Sequence, residues 1–102
     1  MYLVQILLPL YDNEGLAFEA GEYVRLRAEL ADRFGGVTAY TRAPARGVWK
    51  GDSGETTRDD IVIFEVMTPN LDHDWWTAFR MELEDRFRQD TLIVRALTYS
   101  IL

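Results

Sequence analysis

Residues 27–34 read RAELADRF, and residues 80–87 read RMELEDRF. At a constant offset of 53 positions, Arg27, Glu29, Leu30, Asp32, Arg33 and Phe34 recur as Arg80, Glu82, Leu83, Asp85, Arg86 and Phe87. Each word closes an apolar stripe at helical spacing. The first stripe is Tyr23, Leu26, Leu30 and Phe34, and the second is Trp76, Phe79, Leu83 and Phe87. Gaps of three, four and four place each set on one side of a helix. Gly35 stops the first helix, which begins near Gly21. Pro69, Asn70 and Asp72 open the second, with Asp72 and Asp74 in the first turn where the helix dipole favours acids. Duplication yields such a repeat, and so does convergence of two helices on good helix formers. Either way the chain holds two helices of like length and like stripe.

Strands flank both helices. Tyr2 to Tyr11 is an apolar run ended by Asp12, Asn13 and Gly15, the pattern of a buried strand and a turn. Val37 to about Lys50 is β-branched and aromatic but broken by Pro44 and Gly47, which suits an edge strand or a bulge. Gly51 to Gly54 turns this segment back as a hairpin onto Ile61 to Thr68, a strand of central character. Leu92 to Leu102 is the last strand. The order is therefore βαββαβ, an α+β, ferredoxin-like arrangement with a four-stranded antiparallel sheet and two helices on one face.

A chain of 102 residues, 48% hydrophobic and 13% aromatic, suits a single domain spanning residues 1–102. The formal net charge of −6 disfavours nucleic acid and anionic membrane surfaces as partners. With no cysteine, disulfides, thiolate metal sites and cysteine nucleophiles are excluded. The apolar start lacks a basic leader and meets Pro9 and Asp12 too early for a signal peptide or a membrane span, so a cytoplasmic protein is expected.

Alternation in the strands raises a further expectation. Tyr2, Val4, Ile6, Leu8 and Leu10 share one face of strand one, and Leu3, Gln5 and Leu7 the other. In strand three, Val62, Phe64 and Val66 oppose Ile61, Ile63, Glu65 and Met67. The last strand adds Ile93, Arg95, Leu97, Tyr99 and Ile101 to the second set. A solvated antiparallel face alternates with polar residues, so two apolar faces call for a cover on the second. A second copy of the chain is the economical one, giving a homodimeric α/β barrel or a higher homo-oligomer. Gln5, Glu65 and Arg95 interrupt this face. With strand one between strands three and four, they form one row in which Gln5 bridges the two charges. The row reads either as a paired device that fixes dimer register or as a polar cluster that orients a ligand.

Other constellations carry less chemistry. His73, the one histidine, lies between Asp72 and Asp74 at a helix start, where consecutive side chains diverge. It reads as a solvated residue, and neither a metal site nor a cofactor is expected. Ser53 and Ser100 lack a nucleophile context, and no glycine-rich phosphate loop is present. Trp76 belongs to the helix stripe, which sends Trp75 elsewhere: to a subunit edge, over a pocket or beneath a loop. The segment from Arg42 to Arg58 carries a formal charge of +2 within an acidic chain. Tyr40, Arg42, Arg46 and Trp49 are therefore candidates for holding a small anionic, partly apolar ligand. An acidic surface of a neighbouring subunit is the rival occupant.

The stretches VQILLPLYDNEG, RFGGVTAYTRAPARGVWK and RDDIVIFEVM, the Trp pair and RFRQD together resemble a family of short, uncharacterised bacterial proteins over nearly the whole chain. The resemblance implies a ferredoxin-like fold within the wider dimeric α/β barrel group, which includes cofactor-free monooxygenases and isomerases of aromatic compounds. No activity comes with the family, and the strands lack the His or Asn of the monooxygenase pattern, so no catalytic residue carries across. The expected function is a small-molecule binding or assembly module. The alternative is a cofactor-free enzyme acting on a small organic acid or aromatic compound, with Glu65 as candidate base and Tyr40, Arg42 and Arg46 binding the substrate.

Overall fold

The computed structural model describes residues 1–42 and 61–102. Its elements run β1 (Tyr2–Pro9), α1 (Ala20–Phe34), β2 (Thr38–Arg42), β3 (Ile61–Thr68), α2 (His73–Arg86) and β4 (Ile93–Thr98). The four strands form one antiparallel sheet in the order β2-β3-β1-β4. This is the ferredoxin-like βαββαβ fold expected from the pattern. The continuation of the second strand to Lys50, its bulge and the hairpin turn lie outside the described residues.

Two strands end earlier than alternation alone suggests, each because its pairing ends. β1 stops at Pro9, the partner of Ile61. Leu10 and Tyr11 turn back on their own chain, the carbonyl of Leu10 accepting from Phe18 N and Tyr11 bridging to Ala17. Asp12 shapes that turn by accepting through Oδ1 from the amides of Glu14 and Leu16, each at 2.9 Å, and Gly15 supplies the positive φ of 81°. β4 stops at Thr98, opposite Tyr2, since the edge strand has only β1 to pair with. Beyond it Tyr99 N reaches only the carbonyl of Met1, at 3.2 Å.

The helices cover one face of the sheet. Val4, Ile6 and Leu8 from β1 and Phe64 and Val66 from β3 meet Leu26 and Leu30 of α1 and Leu83 of α2, with Phe87 just past α2, all at most 2% exposed. Burial of that apolar area is the main stabilising term. Helix ends agree with the sequence signals: Gly35 caps α1 in the left-handed region at φ 80°, and Asp72 caps α2 by accepting from Trp75 N at 3.1 Å.

The repeated word places equivalent residues at equivalent depths but gives the two arginines different work. Leu30 and Leu83 are both fully buried. Arg86 donates to Glu29 of α1 at 2.8 and 3.2 Å and to Glu82 of its own helix at 2.9 Å. Those bonds, to Glu29 first, hold the guanidinium more firmly protonated than usual. Glu29 and Glu82 are themselves equivalent in the repeat, so one arginine ties the two halves together. Its counterpart Arg33 instead lies 4.0 Å from the centroid of Trp75. Trp75 also stacks on Phe79 at 4.8 Å and meets Phe34 edge-on. Trp75 thus clasps α1 to α2. Among the described residues, no helix is long and apolar enough to cross a membrane.

Candidate functional site

Among the described residues, the other face of the sheet carries no helix. Ladder register decides which side chains meet there: Gln5 on β1 stands opposite Glu65 on β3 and Arg95 on β4. Directly opposed residues share a face and lie close enough to bond. The predicted row forms. Arg95 Nε donates to Gln5 Oε1 at 2.7 Å, and Gln5 Nε2 donates to Glu65 Oε1 at 2.9 Å. The Gln5 amide is thereby oriented, its oxygen towards the cation and its nitrogen towards the anion. Glu65 and Arg95 do not touch; the amide stands between them.

The structure extends the row by one member. Thr38 pairs with Glu65, so Tyr40, two residues along β2, lies on the same face one step further on, and its hydroxyl donates to Glu65 Oε1. A single carboxylate oxygen therefore accepts from both a phenol and an amide. Sequence reasoning grouped Tyr40 with the basic stretch; the β2–β3 register groups it with Glu65. The missing signal was that register, which no local sequence pattern specifies. Arg42 ends β2 opposite Ile61. Arg46 and Trp49 lie outside the described residues.

Exposure along this face is uneven. Gln5 and Ile63 at its centre are buried, whereas Met67, Ile93 and Leu97 are 59%, 55% and 47% exposed. Arg95 is exposed as well, and among the described residues its only bond is through Nε. Its two terminal nitrogens remain to meet an anion.

Two clefts flank the row. One, of about 490 Å³, is walled by Leu3, Glu65, Met67 and Thr38 and closed by the Gly35–Gly36 backbone. The other, of about 340 Å³, lies between α2 and β4, with Val4 and Trp76 as its floor and His73, Thr77, Arg80 and Arg95 among its walls. Glu65 belongs to the first and Arg95 to the second. His73 is exposed at the start of α2, and Arg80 is engaged with Glu84 at 3.0 and 3.1 Å. The first cleft is chemically the better defined, since it opens on the doubly bonded carboxylate. Among the described residues, no three His, Asp or Glu side chains gather as a metal site would require.

No family model matches the chain, and no curated protein matches its sequence. Among solved structures, a phage SAM lyase in complex with S-methyl-5′-thioadenosine is similar, with a TM-score of 0.58 and 17% identity. The match covers 94% of this chain and 79% of that one. At that identity the likeness speaks to the fold alone, and it agrees with the ferredoxin-like architecture.

Proposed function

We propose that this protein is a small-molecule binding module whose ligand lies against the helix-free face of the sheet, along the row Arg95–Gln5–Glu65–Tyr40. The observation that carries this reading is the state of Arg95. A guanidinium on an apolar face is held by one bond to an oriented amide, and its terminal nitrogens point at nothing within the described residues. Leu3, Leu7 and Leu97 offer an apolar bed beside it. Glu65 offers an acceptor roughly two strand spacings, about 10 Å, away. A ligand with an acidic group, an apolar or aromatic body and a donor at its far end satisfies all three. The basic stretch that includes Arg42, Arg46 and Trp49 follows Tyr40 directly, and we take it as a second source of anion contacts.

A second reading is a cofactor-free enzyme acting on a small organic acid or aromatic compound. It rests on the Tyr40–Glu65 hydrogen bond, which sets a proton acceptor and a proton donor side by side at the mouth of a cleft. In that reading Glu65 takes a proton from the substrate, and Tyr40 stabilises the carboxylate beforehand.

A thermal-shift screen of organic acids, aromatic acids and nucleosides tests the binding reading. Nucleosides are included because the similar phage enzyme is held with S-methyl-5′-thioadenosine. A ligand at 100 times its dissociation constant adds about 2.7 kcal/mol to stability. The gain should disappear in Arg95→Ala and in Gln5→Leu. A screen without a hit, or hits indifferent to both substitutions, would overturn the proposal.

A further inference from the structure

We propose that the outer edge of β4, together with the cleft between β4 and α2, docks an extended peptide of another protein, which joins the sheet as a fifth strand antiparallel to β4. The peptide sets apolar side chains into the cleft and an acidic one beside Arg80. It neither uses nor blocks the row on the helix-free face.

β4 is an edge strand, since among the described residues only β1 pairs with it. Which of its backbone groups turn outward follows from one bond past its end. Tyr99 N donates to the Met1 carbonyl at 3.2 Å, and the register that sets Tyr2 opposite Thr98 sets Met1 opposite Tyr99. In an antiparallel ladder, bonded and non-bonded pairs alternate. Leu3–Leu97, Gln5–Arg95 and Leu7–Ile93 are therefore the bonded pairs. The N–H and C=O groups of Val94, Ala96 and Thr98 point away from β1, to an edge that no described strand occupies. Proteins commonly blunt such an edge with lysine, proline or a bulge. Ile93–Thr98 reads IVRALT and pairs with β1 without interruption, so β4 has none of these.

The side chains of the same residues face the cleft. Val94 and Ala96 stand opposite Ile6 and Val4, which are at most 1% exposed beneath the helices, yet Ala96 itself is exposed. The helices thus cover β1 and leave this part of β4 bare. The gap is the cleft of about 340 Å³ floored by Val4 and Trp76. In an antiparallel fifth strand, the residues that bond to Val94 and Ala96 put their own side chains on the same face. One geometry therefore satisfies the outward backbone groups and fills the cleft with hydrocarbon. An extended chain is the ligand that offers both.

Charge adds a third requirement. In a chain of net charge −6, no acidic residue among those described lines the cleft. Its α2 wall carries His73, Thr77 and Arg80. Arg80 commits Nη1 to Glu84, and among the described residues its Nη2 has no partner. An acidic side chain on the peptide complements that rim. Leu92 N bonds to Glu84 Oε2 at 2.9 Å, so β4 starts beside the later turns of α2 and Arg80 lies towards the Val94 end. The peptide makes no demand on Arg95, whose backbone pairs with Gln5 and whose side chain projects on the opposite face.

Short probe peptides, with Glu at both ends and Val, Leu or Phe in turn alternating with Thr between them, test the proposal by fluorescence anisotropy. At least one should bind saturably, and its scrambled form, with the apolar residues contiguous, should bind more weakly by about tenfold or more. Methylating the backbone nitrogen of the central apolar residue should remove binding, whereas methylating an adjacent Thr should change it little, because successive N–H groups point towards β4 and away from it in turn. Ala96→Pro should weaken binding by about tenfold or more while keeping the circular dichroism spectrum and the urea midpoint, since proline there loses only an outward N–H. Leu97→Pro breaks the bond to Leu3 and should destabilise the fold. On addition of peptide, hydrogen exchange at the amides of Val94 and Ala96 should slow, and that of Arg95 and Leu97, already bonded to β1, should slow much less. Arg80→Gln should weaken the acidic-ended peptides by about threefold and leave Gln-ended ones unchanged. Gln5→Leu, which removes the proposed small-molecule site, should leave peptide binding within about twofold, so the two proposals fail separately. No saturable binding by any probe, equal loss on methylation at every position, or full binding by Ala96→Pro would each overturn the proposal. So would a dimer without peptide in which the Val94 and Ala96 amides already exchange slowly, since a second copy would then hold the edge.

Discussion

The two faces of the sheet are made by the same strands, residue by alternate residue, and they are apolar to a similar degree, yet they are finished differently. The helix face is filled: Phe64, Leu26, Leu30, Leu83 and Phe87 have at most 2% of their surface exposed, and no charged side chain interrupts them. The opposite face sets a glutamate, a glutamine, an arginine and a tyrosine in one hydrogen-bonded line among leucines and isoleucines. A line of paired polar groups contributes little to stability compared with hydrocarbon in the same place. Its presence on one face alone separates a surface filled with hydrocarbon from a surface that offers hydrogen-bond donors and acceptors.

That division is open to attack by mutation. The largest effect belongs to the helix face: Leu83→Ala should cost about 2 to 5 kcal/mol in urea unfolding, because a fully buried side chain leaves a cavity that α2 cannot close. Arg86→Ala should cost less, about 1 to 2 kcal/mol, since Glu29 and Glu82 are partly solvated and recover water when released. A loss as large as that of Leu83 would mean that the tie between the halves, not the core, dominates.

Tyr23→Phe should cost about 1 kcal/mol at neutral pH, the worth of the hydrogen bond its hydroxyl donates to the Pro9 carbonyl at 2.8 Å. Burial pushes the Tyr23 pKa up from 10.0 to about 12. The folded state therefore favours the neutral phenol. Its contribution is complete below pH 10 and declines as pH rises from 10 towards 12. Alkaline unfolding of Tyr23→Phe should lack that decline; an unchanged profile would assign the titration to another group. The smallest effect belongs to the open face. In a dilute, unassembled sample Leu97→Ala should change stability by less than about 0.5 kcal/mol, the side chain being half exposed. A loss comparable with that of Leu83→Ala would erase the distinction between the faces.

Much of this was legible before the structure. The repeated word and its stripes located both helices, and simple alternation in β1 and β3 separated the faces correctly. Gln5, Glu65 and Arg95 stood out because each breaks an apolar set, and the strand order of the fold then put them in line. Three things were not legible. Tyr40 joins the row through a hairpin register that no local pattern encodes. Trp75 sits between the helices because of how α2 is rotated about its axis, and two adjacent tryptophans at a helix start fit more than one rotation. The C-terminal residues alternate as β4 does, but a strand lasts only as long as its neighbour, and β1 offers no partner past Tyr2.

The central place of β1 also governs how the chain reaches this structure. The first strand made is the one that must be flanked by the third and the fourth: Gln5 meets Glu65 across 60 residues and Arg95 across 90. Such pairings close long loops before any reward arrives, so the sheet should assemble late and on the slower side for a domain of this size. The repeat suggests a remedy. Since Tyr99 bonds to Met1, a short linker joining the chain ends, with new ends opened in the loop between β1 and α1, would make β4 and β1 a local hairpin. Refolding of that permuted chain should be faster while its unfolding rate stays nearly unchanged.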